Sequence, residues 1–175
     1  MSKWIIDTNH SEVGFKVKHL VISTASGKFT AFEGTLESSK EDFSDAKISF
    51  SADIDSIHTG NEQRDGHLKS ADFFDAANFP KLSFVSASFT QKDGSDYILK
   101  GDFTMHGVTN PIELAVEFGG IQKDLYGQTV AGFEIAGKIK RADYGLTWGA
   151  VTEAGGLVLG EEVKILINAE LIKKD

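Results

Sequence analysis

Polar and apolar residues alternate along most of this chain with the period of two that marks a half-buried strand. Val13, Phe15, Val17 and His19 alternate with Gly14, Lys16 and Lys18, and Ile48, Phe50, Ala52 and Ile54 oppose Ser49, Ser51, Asp53 and Asp55. Ile112, Leu114, Val116 and Phe118 oppose Glu113 and Glu117 in a strand predicted over residues 108–118. After Gly127, Ala131, Phe133, Ile135, Gly137 and Ile139 line up, and residues 157–172 place Val163, Ile165, Ile167, Ala169 and Leu171 on one face. Further strands are predicted over 28–38, where Gly34 suggests a bulge or bend, over 81–91 and over 97–106. Residues 20–27 break the alternation and read as a turn or a single helical turn. Asp93-Gly94 is hairpin-turn chemistry, Gly107 a corner and Gly119-Gly120 a turn. Residues 141–145 end a strand, and 147–156 read as an ordered loop holding Trp148.

One long stretch, residues 59–84, interrupts this pattern. It carries Arg64, Asp65, His67, Phe73, Phe74, Phe79 and Pro80. A plain loop would be polar throughout, so three phenylalanines must be buried against the end or wall of the neighbouring sheet. Asn61 is placed to cap a short helix over 62–70, and 72–77 predict another helical turn stopped before Pro80. The segment reads as a lid.

About eight strands joined by short glycine-bearing turns, with no βαβ periodicity, predict an all-β antiparallel fold. Eight such strands close into a barrel wide enough for one ligand, the lipocalin solution to exposed edges. The expectation is an eight-stranded antiparallel lipocalin-like barrel with a short helical lid segment around residues 61–78, forming a single domain over 1–175. A two-sheet sandwich is the competing arrangement, and periodicity alone does not separate the two.

A net charge of −8 without a Lys/Arg cluster in the sequence excludes nucleic acid as a partner, and argues against docking on anionic headgroups by charge alone. The absence of cysteine removes disulfides, thiol nucleophiles and thiolate metal sites. No run approaches a transmembrane span, and Asp7, Asn9, His10 and Glu12 break any secretory signal, so the chain as given is expected to be cytoplasmic. His10, His19, His58 and His106 are scattered without a metal-ligand spacing, and no metal is expected. Gly-x-Ser-x-Gly, Walker and dinucleotide patterns are missing, and no catalytic group is assigned.

An ordered set of motifs resembles the YceI-like family across nearly the whole chain. Its pieces are Asp7-x-x-His10-Ser11-x-Val13-x-Phe15-x-Val17-x-His19 and Gly27-x-Phe29-x-x-Phe32-x-Gly34, followed by Ile57-x-Thr59-Gly60-Asn61-x-x-Arg64-Asp65-x-His67-Leu68. Asp72-Phe73-Phe74-Asp75, Phe79-Pro80, Met105-His106-Gly107-Val108-Thr109 and Arg141-x-Asp143-Tyr144-Gly145-Leu146 complete it. The resemblance implies a lipocalin-like barrel holding a long apolar polyisoprenoid or quinone-type lipid, with a homodimeric assembly. Many members carry a secretory leader, from which this sequence departs.

A prenyl chain offers almost no polar handle, so its site needs aliphatic and aromatic walls. The candidates on the alternating faces and the lid are Phe15, Val17, Phe50, Ile54, Phe73, Phe74, Phe84, Phe103, Met105, Leu114, Val116, Phe133 and Ile135. Each could equally be ordinary core. Arg64, Asp65 and His67 either meet a head group at the mouth or tie the lid to the rim, the second reading being favoured. Two other functions stay open: an enzyme acting on a lipid head group through those three residues, and an interaction module using the lid aromatics.

Overall fold

The computed structural model describes residues 1–20, 22–149 and 159–174. In chain order its elements are β1 (Ser2–Ile6), β2 (Glu12–His19), β3 (Ser23–Phe29), β4 (Phe32–Ser38), β5 (Lys47–Asp53) and β6 (Ile57–His58). Helix α1 (Glu62–Lys69) follows, then β7 (Lys81–Asp93), β8 (Asp96–Met105), β9 (Val108–Lys123), β10 (Thr129–Lys140) and β11 (Leu159–Lys174).

All neighbours pair antiparallel, and the sheet closes on itself because β1 pairs with both β4 and β11. β1 and β2 lie end to end along one edge of β11, facing Leu171–Lys174 and Leu159–Asn168 respectively. β3 and β4 continue each other in the same way, as do β5 and β6 across a single 3-10 turn at Ile54–Ser56. Three interrupted rungs and five continuous ones make the closed eight-stranded barrel expected from the sequence. The sandwich is ruled out by that closure.

Several local expectations are corrected. β1 was hidden because Trp4, Ile5 and Ile6 form an unbroken apolar run, although only Trp4 and Ile6 face inward and are buried. Residues 23–27 belong to strand β3 rather than to a turn: the inward Ala25, which lines the lumen, and Gly27, which faces Phe15, are too small to show as apolar alternation. Gly27 faces Phe15 in register, and a Cβ there would sit 2.5 Å from Phe15 Cζ, so the ring itself accounts for the glycine. Gly119-Gly120 is a bulge inside β9, with Gly120 at a φ of +111° and the pairing shifted opposite Gly132/Phe133. The strand runs on to Lys123. Residues 150–156 of the predicted loop and 157–158 of the predicted last strand lie outside the described residues.

The end away from the lid is plugged by rings. Phe43, 2% exposed, meets Trp4, Phe118 and Phe133 at centroid distances of 5.4, 5.5 and 5.7 Å. Phe89 stacks on Tyr97 at 4.8 Å and Phe118 on Phe133 at 5.1 Å, so the plug is continuous from wall to wall. Among the described residues no helix is long and apolar enough to cross a membrane.

Candidate functional site

Above the aromatic plug the barrel encloses a cavity of about 370 Å³. Its wall is almost wholly carbon. β2 contributes Phe15 and Val17, β5 Phe50, β7 Phe84, β8 Phe103 and Met105, β9 Leu114 and Val116, and β10 Phe133 and Ile135. Phe73 and Phe74 come from the lid segment. Ile54 does not line the cavity: β5 stops at Asp53, and the 3-10 turn removes Ile54 from the alternation into core packing, 1% exposed.

The largest contributor absent from the candidates is β11, whose Val163, Ile165, Ile167, Ala169 and Leu171 all line the lumen. Their alternation was plain in the sequence and was sufficient to nominate them. Inward glycines shape the bore. Gly34 faces Phe50 and Gly27 faces Phe15, in register, so the rings have room to lie against bare backbone. Gly137 stands beside Leu114 and Gly101 beside Phe84 in the same manner.

The lid forms as its sequence dictates. Asn61 caps α1, its side chain accepting from the Arg64 N–H at 2.9 Å. Beyond α1 the chain continues in hydrogen-bonded turns, with the Phe74 N–H donating to Leu68 O at 3.0 Å and the Ala76 N–H to Lys69 O at 2.9 Å. Phe74 meets Phe29 edge-on at 6.3 Å, and Phe79 rests on His106 at 5.0 Å.

Arg64 and Asp65 converge on Thr59, the residue where the lid leaves the barrel. Arg64 donates through Nε to Thr59 Oγ1 at 2.8 Å and through Nη2 to Thr59 O at 2.7 Å. Asp65 Oδ1 accepts from the Thr59 N–H at 2.9 Å and from Thr59 Oγ1, and Asp65 is buried. Arg64 and His67 line the mouth of the cavity, whereas Asp65 does not. His67 Nε2 lies 2.8 Å from Asp72 Oδ2, with its ring edge-on to Phe73 at 5.1 Å and to Trp148 at 4.8 Å.

Arg141, whose place in the motif Arg141-x-Asp143-Tyr144-Gly145-Leu146 does not by itself imply a role, is a residue of the site. It is 8% exposed and lines the cavity. Its guanidinium donates to backbone carbonyls on both sides of the mouth: Leu146 O at 2.7 Å, Trp148 O at 2.6 Å and Gly160 O at 2.9 Å. Burial lowers its pKa, partly offset by the nearby Glu161 carboxylate. It pins the chain around Trp148 against the start of β11.

Asp7, His10 and Glu170 bring ligand-type atoms within 4.8 Å of one another, a convergence that the histidine spacing did not reveal. Asp7 accepts from His10 Nδ1 at 2.8 Å and from the Asn9 N–H at 2.9 Å, holding the break between β1 and β2 against β11. The His10 hydrogen bond lowers the Asp7 pKa, and Asp7 raises that of His10.

Fold and lumen together place the chain among closed antiparallel barrels with an internal apolar cavity. It belongs to the YceI-like family: the YceI-like domain matches residues 4–171. A UPF0312 protein of Staphylococcus aureus (strain MSSA476) is 37% identical over 171 residues, 97% of either chain. The crystal structure of a Campylobacter jejuni YCEI protein superposes with a TM-score of 0.77 at 31% identity, covering 97% of this chain and 96% of that one. Burkholderia cenocepacia BcnA gives a TM-score of 0.82 at 19% identity over 94% of this chain and 98% of its own. A polyisoprenoid binding domain from Saccharophagus degradans gives 0.70 at 17% identity over 98% of both.

Proposed function

We propose that the chain is a binding protein rather than an enzyme, which sequesters or carries a long-chain apolar lipid of the polyisoprenoid or prenyl-quinone class. The observation that carries this reading is the nearly all-carbon wall of the 370 Å³ lumen. Such a wall offers a ligand nothing but burial of surface, at about 0.8 kcal/mol per CH₂ before ordering costs. A chain of repeated apolar units gains most from it. The Saccharophagus degradans domain, described as polyisoprenoid binding, supports the same class. The rim groups are engaged in structure, Arg64 and Asp65 on Thr59 and His67 on Asp72, which favours a lid anchor over a catalytic set.

Trp148 at the mouth gives a direct test, because it lines the cavity while Trp4 does not. Titration with prenols of increasing length should shift Trp148 emission saturably, and Trp148→Phe should abolish the signal. No saturable response to any prenol or prenyl-quinone would sink the reading.

A further inference from the structure

The outer wall of the barrel carries a feature that the overall charge conceals. Lys138 on β10, Lys164 on β11 and Lys16 on β2 stand directly opposite one another in consecutive rungs, all exposed. Like charges in register destabilise a sheet, so the row works against folding in a chain whose net charge is −8. Glu162 meets Lys138 at 3.6 Å, and among the described residues neither Lys16 nor Lys164 forms an ion pair.

Four residues beyond Lys16 along the chain stands an apolar tip. Between β2, which ends at His19, and β3, which begins at Ser23, Ile22 is 85% and Leu20 39% exposed. Leu20 holds a φ of +54°, a left-handed position where glycine or asparagine would sit without strain. A strained, exposed leucine beside an exposed isoleucine is costly in water on both counts. The tip adjoins the cavity: His19 and Leu159, which pair next to it, both line the lumen. Trp148, 37% exposed, lines the same mouth and has the amphipathic ring that favours a membrane interface.

We infer that this face docks on an anionic lipid surface, with Leu20 and Ile22 entering the headgroup boundary and the Lys16–Lys164 row lying against the charged headgroups. A soluble acidic protein would satisfy the lysines but would leave the apolar tip and its position at the mouth without a use. Docking so oriented sets the cavity mouth at the bilayer. It goes beyond cargo binding and is measured on the protein whether or not the lumen is filled.

Sedimentation with vesicles of phosphatidylcholine, with and without phosphatidylglycerol, tests it. The protein should bind the anionic vesicles, more weakly as salt rises, and should leave the neutral ones in the supernatant. Replacing both Lys16→Gln and Lys164→Gln should weaken partitioning roughly 25-fold, about fivefold per lysine near the surface. Ile22→Ser should weaken it about tenfold or more through lost apolar burial, with the salt dependence kept. Equal binding to both vesicle types, or unchanged binding by the lysine variant, overturns the proposal. So does lysine-dependent binding to soluble poly-glutamate that matches the vesicles and ignores Ile22→Ser.

Discussion

Asp65→Ala tests how the lid is held. The buried carboxylate accepts from the Thr59 N–H at 2.9 Å and from Thr59 Oγ1, and it also lies in the first turn of α1. Hydrogen bonds to a charged acceptor contribute about 1.5–3 kcal/mol each. Thr59 Oγ1 keeps its bond from Arg64 Nε, so the loss centres on the orphaned N–H and the missing charge at the helix start. About 2–4 kcal/mol is the expected sum, or roughly 30- to 1,000-fold in the opening equilibrium. Leu68 is the only apolar side chain of α1, so little packing remains to hold the helix once Thr59 lets go. The loss should therefore be local. Native-state hydrogen exchange should show protection falling by that factor at the amides of Thr59, position 65 and Ser70, with β10 and β11 unchanged. Unaltered protection at Thr59 would refute the anchor, and a uniform fall across the barrel would show that Asp65 supports the whole fold instead.

Gly27→Ala would place a methyl 2.5 Å from Phe15 Cζ and 2.9 Å from Thr59 Cγ2, driving the ring into the lumen. Displacing one or two CH₂ groups of a bound chain should weaken prenol binding about 4- to 15-fold, with Phe15→Leu restoring it, and an unchanged affinity would show that the bore is set elsewhere. Phe43→Ala should cost about 3–5 kcal/mol in denaturant unfolding and shift preference to longer prenols by opening the plug; an unchanged preference in folded protein would mean the plug does not limit chain length. Among the described residues the buried Tyr144 hydroxyl has no hydrogen-bond partner of good geometry, so Tyr144→Phe should raise stability by about 1 kcal/mol, and a fall would show that it is paired, with Asn110 the nearest candidate. Asp45 is held below the ordinary carboxylate pKa by hydrogen bonds from Ser38 and Ser39. Its stabilisation is present in full above the unfolded value of 3.8 and declines as pH falls through the folded one. Asp45→Asn should thus lower Tm at pH 7 and matter progressively less below about pH 4; a difference that ignores pH would contradict this.

What the sequence concealed has a separate physical cause at each place. Periodicity reports side chains by size, and this barrel stores some of its inward positions as glycine and alanine where a ring from the next strand already fills the space. Gly27 and Ala25 made β3 look like a turn for that reason, while Phe15, which occupies the room, was nominated at once. Gly119-Gly120 looked like a turn because a bulge and a turn use the same residue. The lid was legible because its aromatics and its Asn61 cap are local signals. Arg141 was not, since its partners at Leu146, Trp148 and Gly160 are backbone carbonyls that leave no mark in the sequence. The lysine row was hidden by strand pairing: Lys16, Lys138 and Lys164 lie far apart along the chain and meet only through register.

The central claim is that the lumen holds a long apolar chain. Native mass spectrometry of the protein isolated from its own host, followed by organic extraction, tests it most directly. A stoichiometric excess mass that extracts as a prenyl lipid is the predicted result and would identify the cargo. A bare protein mass, in a preparation that also takes up no added prenol or prenyl-quinone, would contradict the claim.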